Sequence, residues 1–271
     1  VTSSVLAAGA VERHLRARRD SGRGLLMPYV TGGITPGWTD HLRAFAAAGA
    51  DAIEVGLPFS DPTLDGVTIQ QASDLALERG ASTRRILADL AALPDLGVPL
   101  VASTYYNLVL HDGPGAFCAA LRRAGVSGLI VPDLPVHEAD ELTGAAEPAG
   151  IEVALLASPA TPQPRLAEIA GRSRGFVYAV SLMGTTGERA ALATSAAELT
   201  ARIRRVSDRP VLLGFGISTP DQAREARRHA DGVVVGAAVM RRVLDGAGPD
   251  DLQGFLAALR RALDESPRPG V

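Results

Sequence analysis

Along the chain, short apolar runs of strand length alternate with amphipathic stretches of helical period, the pattern of repeated parallel βα units. The runs are "LLMPYVT" (25–31), "AIEVGLP" (52–58), "PLVASTYY" (99–106), "GLIVPDL" (128–134), "EVALLAS" (152–158), "GFVYAVSL" (175–182), "PVLLGFG" (210–216) and "DGVVVG" (231–236). Eight is the number that closes such a sheet into a (βα)8 barrel. Between the runs, periodicity predicts helices over 38–48, 69–78, 115–124, 164–170, 196–206 and 220–229, with a further short helix in "AAVMRRVL" (237–244). Ser195 and Ser218 are expected to open helices as N-caps, and Gly49, Gly80, Gly125 and Gly150 to end them.

The expected architecture is therefore α/β, a single (βα)8 TIM barrel over residues 1–271. Residues 1–22 form an extra N-terminal capping helix in this reading, and "DDLQGFLAALRRALDE" near the other end closes the ring. A doubly wound open sheet is the competing arrangement. Its dinucleotide-binding turn would need spaced glycines after the first run, where this chain has "TGGITPG". The glycine-rich turns come instead after the seventh and eighth runs, as "GFGIS" and "VGAA".

Composition narrows the chemistry. The 271 residues, 46% hydrophobic, suffice for a large core, and no Ser/Gly linker or charge block divides them. A net charge of −3 supplies no basic field for a polyanion, so no nucleic acid is expected as a partner. Cys118 is the only cysteine, which excludes an intrachain disulfide framework and suits a reducing compartment. No run has the length of a membrane span, and the N-terminal stretch lacks the order of a signal peptide, so a soluble cytoplasmic protein is expected. All 27 basic residues are arginine. Schiff-base catalysis, a lysine-anchored pyridoxal cofactor and a P-loop are thereby excluded within this chain. The five histidines are scattered without ligand spacing and no GxSxG elbow occurs, so neither a metal nor a serine triad is expected.

In a barrel every strand's C-terminal end faces one rim, where the active site forms. Glu54, Asp65, Tyr105, Asp133, Tyr178, Thr186, Gly214, Gly216 and Gly236 are expected to converge there. Glu54 stands out, because a carboxylate between Ile53 and Val55 is costly to bury unless it is paired or kept protonated for proton transfer. A structural ion pair is the alternative, although no basic residue lies close in sequence. Asp61 and Asp65 alone read as ordinary turn residues. Glycines after the sixth, seventh and eighth runs, ahead of a helix at 237–244, suggest backbone amides gathered for a phosphate. Tyr105, Tyr106 and Tyr178 read as rim aromatics that pack against a flat ligand, with a core role the alternative for Tyr106.

The stretch "IEVGLPFSDPTLDGVTIQ" resembles the signature of the tryptophan synthase alpha chain family. "TYYNLV", "VPDLPVHE", "GFVYAVSLMGTTG", "LLGFGIS" and "DGVVVGAAV" resemble family segments in the same order, so the likeness spans nearly the whole chain. The resemblance implies a barrel that cleaves indole-3-glycerol phosphate to indole and glyceraldehyde 3-phosphate without metal or cofactor. It implies Glu54 as the proton shuttle and Asp65 as the group that accepts the indole N–H. Tyr105 and Tyr178 then line the substrate pocket, with Phe215 beside the indole and Thr186 in a closing loop. Gly187, Gly216 and Gly236 match phosphate-binding backbone positions. A beta chain carrying pyridoxal phosphate is the implied partner, in an α2β2 heterotetramer.

Three positions depart from the family pattern. "TGGITPG" lacks the acid of the usual Gly-Asp-Pro turn, Ala237 replaces a serine that donates to phosphate, and Leu182 replaces an arginine found in some members. Coupling to a beta chain is therefore a separate question from catalysis. A stand-alone lyase of secondary metabolism and a degenerate paralogue that activates a partner are the alternative readings.

Overall fold

A computed structural model of the chain describes residues 7–180, 189–214 and 216–266, with 189–193 as backbone only. Its parallel strands are β1 (Leu25–Thr31), β2 (Ile53–Gly56), β3 (Leu100–Ser103), β4 (Val126–Ile130), β5 (Glu152–Ala154), β6 (Leu156–Ala157), β7 (Val177–Val180), β8 (Val211–Gly214) and β9 (Gly232–Val235). They neighbour one another in the order β5-β4-β3-β2-β1-β9-β8-β7-β6. The two ends of that order, β5 and β6, are separated in the chain only by Leu155, so the sheet closes on itself. The open doubly wound alternative is thereby eliminated.

Two-residue alternation divides the strands into an inner and an outer face. Leu25, Met27, Ala52, Val101, Ile130, Ala154, Phe176, Leu212 and Val234 pack together inside the barrel, joined by Val11 and Leu15 of α1 (Ala10–Asp20). Ile53, Val55, Leu100, Leu129, Val153, Leu213 and Val233 point outward into the larger cluster shared with the helices. Helix α1 is thus the floor of the barrel, as the extra N-terminal helix requires. Its first amides meet a carboxylate: Val11 N–H and Glu12 N–H donate to Glu152 at 2.6 and 3.1 Å. These are donors that a helix N-terminus leaves without an internal partner.

The remaining helices are α2 (Thr39–Ala47), α3 (Val67–Glu78), α4 (Thr83–Ala91), α5 (Tyr106–Asp112), α6 (Pro114–Arg123), α7 (Asp140–Ala149), α8 (Gln163–Arg172), α9 (Arg189–Arg204), α10 (Pro220–Arg227), α11 (Ala237–Leu244) and α12 (Pro249–Asp264). The expected stops hold, since Gly49, Gly80, Gly125 and Gly150 all take positive φ. The N-cap expectations need correction. Ser195 lies inside α9, which starts at Arg189. Helix α10 is capped by Thr219, whose hydroxyl accepts Gln222 N–H, while Ser218 donates to the Gln222 side chain. The third run also ends earlier than its apolar length suggests. Its strand stops at Ser103 and Tyr106 opens α5, because Asp133 accepts the Tyr106 N–H at 2.9 Å.

Candidate active site

Strand β2 carries Glu54 on the inner face, one alternation above Ala52 and toward the C-terminal rim. Parallel register sets it beside Tyr29 of β1 on one side and Val101 of β3 on the other. Glu54 is only 5% exposed, and its Oε2 has no hydrogen-bond partner. Burial pushes its carboxyl up to about 7, the nearby Ser103 hydroxyl opposes the rise, and the Asp65 charge adds to it. The group is thus poised to hold and release a proton near neutral pH.

Asp65 reaches the same space from the loop between β2 and α3. Its peptide is fixed by Gln70, whose side-chain amide donates to the Asp65 carbonyl at 2.9 Å and to the Pro62 carbonyl at 3.3 Å. The Tyr105 hydroxyl donates to Asp65 Oδ2 at 3.1 Å and accepts Leu64 N–H at 3.0 Å, so one phenol anchors both the loop and its carboxylate. Burial raises the Asp65 carboxyl and the Tyr105 hydrogen bond counters it. The Tyr105 ring in turn stacks on Phe59, with centroids 5.3 Å apart.

These groups line a cavity of about 540 Å³ at the rim. Two glycines make room for its aromatic walls. A Cβ on Gly56 would lie 2.0 Å from the Tyr29 hydroxyl, and one on Gly214 would lie 2.6 Å from the Tyr178 ring. Tyr178 is half-buried, and desolvation holds its hydroxyl well above the usual phenol range, so it is a neutral donor. Gly216, Gly236 and Ala237 line the same cavity. Gly236 is the N-cap of α11 and Ala237 its first residue, which places a helix N-terminus, with its outward amides and partial positive charge, at the wall.

The cavity therefore unites Glu54, Asp65, Tyr105, Tyr178, Gly216, Gly236 and Ala237, spread over 184 residues of sequence. Thr186, Gly187 and Phe215 lie outside the described residues, as does Leu182. Asp61 is exposed and bonded to Ser60. Asp133 caps α5, and Tyr106 packs against the outer core, so neither faces the cavity. Tyr29 and Ser103 are cavity residues that the sequence reading passed over. Alternation would have found them, since each shares the inward parity of its strand beside β2. A second cavity, about 800 Å³, opens outside the barrel against α4, α5 and α6 and contains neither Glu54 nor Asp65.

A family model described as tryptophan synthase alpha chain matches residues 15–260. The tryptophan synthase alpha chain of Gloeobacter violaceus is 43% identical over 271 residues, covering 97% of each chain. That of a Picosynechococcus strain is 39% identical over 261 residues, covering 94% of this chain and 99% of the relative. Among solved structures, a chain of tryptophan synthase from Mycobacterium tuberculosis superposes with a TM-score of 0.86 at 36% identity, covering 95% of this chain and 99% of that one. Tryptophan synthase subunit alpha from Legionella pneumophila gives 0.86 at 28% identity, with the same coverage.

Proposed function

This chain belongs to the tryptophan synthase alpha chain family, lyases acting on indole-3-glycerol phosphate, and from that premise we propose how its residues carry the reaction. Glu54 starts as the acid and gives its proton to indole C3. The ring becomes a cationic indolenine whose N–H is held by ionised Asp65. The bond from C3 to the glycerol carbon then breaks, its electron pair returning to the ring. At the same time the hydroxyl on that carbon gives its proton to the Glu54 carboxylate and becomes the aldehyde. One proton leaves Glu54 and one returns, so the acid is regenerated.

The observation that carries this reading is the pairing of buried Glu54 with half-buried Asp65 in one cavity, with the Asp65 charge helping to keep Glu54 protonated. Tyr105 holds Asp65 and Tyr178 walls the substrate, while the amides at Gly216, Gly236 and Ala237, with that of Gly187, bind the phosphate. Thr186 and Phe215 are the remaining substrate-binding residues of this proposal. Indole is a poor leaving group until C3 is protonated, so an acid at carbon and an anion at nitrogen are the required apparatus. No step in it calls for a metal or cofactor.

Residues 1–271 act as one barrel domain in this proposal, with 1–22 as the floor. The partner is a beta chain that carries pyridoxal phosphate and consumes the indole, in an α2β2 assembly. Exposed Leu64 and Val67 on the loop and helix after β2, with Leu110 on α5, give apolar surface for such a partner near the site. The family's biosynthetic role and the single buried thiol of Cys118 favour the cytoplasm. Indole formation from indole-3-glycerol phosphate, assayed with and without a beta chain, tests the proposal. Turnover that rises with the beta chain is expected, whereas full turnover alone with no co-elution would make the protein a stand-alone lyase.

A further inference from the structure

Residues 57–66 connect β2 to α3 without strand or helix, yet this segment carries Asp65 and must hold it still. Within the segment, Thr63 N–H donates to the Asp61 carbonyl at 2.8 Å and Asp65 N–H to the Pro62 carbonyl at 3.0 Å. Two side chains from outside hold it further. Tyr105 meets it at Leu64 N–H and at Asp65 Oδ2. Gln70 meets it from α3, its Nε2 donating to the carbonyls of Pro62 and Asp65 at 3.3 and 2.9 Å. Asp65 is thus held at its carboxylate by Tyr105 and at its peptide by Gln70.

Gln70 does not line the cavity, so it acts on the reaction only through what it holds. Two carbonyl oxygens call for a donor, and one primary amide carries two N–H groups for them. The helix that carries Gln70 is itself anchored. Arg241 of α11 donates to the Thr68 hydroxyl at 2.8 Å, which ties the first turn of α3 to the helix whose N-terminus stands in the cavity wall. Charge decides why the donor is an amide. An arginine could also donate to both carbonyls, but it would set a positive charge beside the Asp65 carboxylate and neutralise the anion that a cationic ring needs. The Gln70 amide and the Tyr105 hydroxyl are both neutral, so they fix Asp65 and leave its charge available.

We propose that Gln70 is a positioning residue for the lyase reaction, fixing the Asp65 peptide so that the carboxylate meets the indole nitrogen. The inference rests on the reading of Asp65 as the anion at that nitrogen. Without the amide, the Asp65 carbonyl loses its donor and Tyr105 alone restrains the carboxylate. The loss falls on the step in which positive charge develops at nitrogen, so it appears in kcat rather than in KM.

The test is steady-state indole release by wild type, Gln70→Leu, Gln70→Glu, Asp65→Asn and the double variant with Gln70→Leu and Asp65→Asn, as full chains with confirmed folding. Gln70→Leu is expected to lower kcat about tenfold while KM changes less than about twofold. Gln70→Glu keeps the shape and lacks the amide donor, so it is expected to match Gln70→Leu at about pH 8, where a carboxyl there is ionised. In the Asp65→Asn background the anion is already gone, and Gln70→Leu is expected to cost less than about twofold more. Wild-type kcat in Gln70→Leu and Gln70→Glu, or the full loss repeated in the Asp65→Asn background, overturns the inference, while an impaired Asp65→Asn keeps the Asp65 reading. An Asp65→Asn variant as active as wild type overturns that reading, and the inference with it.

Discussion

Glu54 and Glu152 are buried carboxylates on the inner face of one barrel, at opposite ends, and only Glu152 is satisfied by backbone amides. The floor carboxylate caps α1, while the rim carboxylate, in the cavity wall, keeps a buried oxygen without a partner. Polar groups left unsatisfied in a core lower stability, and function is the usual reason they persist.

That contrast predicts a trade between stability and activity at Glu54. Its folded midpoint of about 7 lies above the ordinary 4.5, so the native state binds this proton more tightly than the unfolded chain does. Below pH 4.5 both states are protonated and the burial carries no ionisation penalty. Stability is then lost as pH rises through 7, by about 3 kcal/mol in full. Glu54→Gln does not titrate, so denaturant unfolding should show the variant gaining on wild type between pH 5 and 8. Parallel curves across that range would show that Glu54 ionises freely in the folded protein.

Asp65 and Tyr105 act as a unit at the indole nitrogen. Asp65→Asn removes the anion that faces the developing cation and should lower kcat/KM by about 10²–10³-fold. Tyr105→Phe keeps the anion and loses its donor, so steady-state assays should find a smaller loss, about tenfold. Equal activity in Asp65→Asn and wild type would remove Asp65 from the mechanism.

Gly214 is required by the ring that lies across it. A methyl group there meets Tyr178 at 2.6 Å, closer than side chains pack. Gly214→Ala should therefore cost about 1–3 kcal/mol in thermal or denaturant unfolding and push Tyr178 into the cavity. Unchanged stability together with unchanged KM would contradict the tight fit.

Ala237 leaves the N-terminus of α11 with backbone donors alone. Ala237→Ser adds a hydroxyl at that first helical position, worth roughly 1 kcal/mol to a bound phosphate. KM for indole-3-glycerol phosphate should fall about fivefold with kcat unchanged, and inhibition by inorganic phosphate should tighten in parallel. A KM that stays put while kcat moves would place the phosphate elsewhere.

The barrel was legible because its signals are periodic. Eight apolar runs marked the strands, and the glycine stops at Gly49, Gly80, Gly125 and Gly150 marked the ends of four helices. Glu54 was conspicuous because a charge inside an apolar run needs a reason. Asp65 was not, since its turn setting is ordinary and its value comes from Tyr105, 40 residues away. Ser103 and Tyr29 share the inward parity of their strands, within reach of alternation, but their place near Glu54 comes from lateral register between strands, which a single strand's pattern does not contain. The end of the third run was misplaced because the Asp133 contact that starts α5 is likewise long-range.

The most direct measurement of the central claim is indole release from indole-3-glycerol phosphate by Glu54→Gln beside the wild-type protein, with a beta chain present. Loss of a positioned proton carrier predicts a fall of about 10²–10⁴-fold in kcat, in a variant that folds at least as stably as wild type. Near-wild-type turnover by the purified variant would contradict the account.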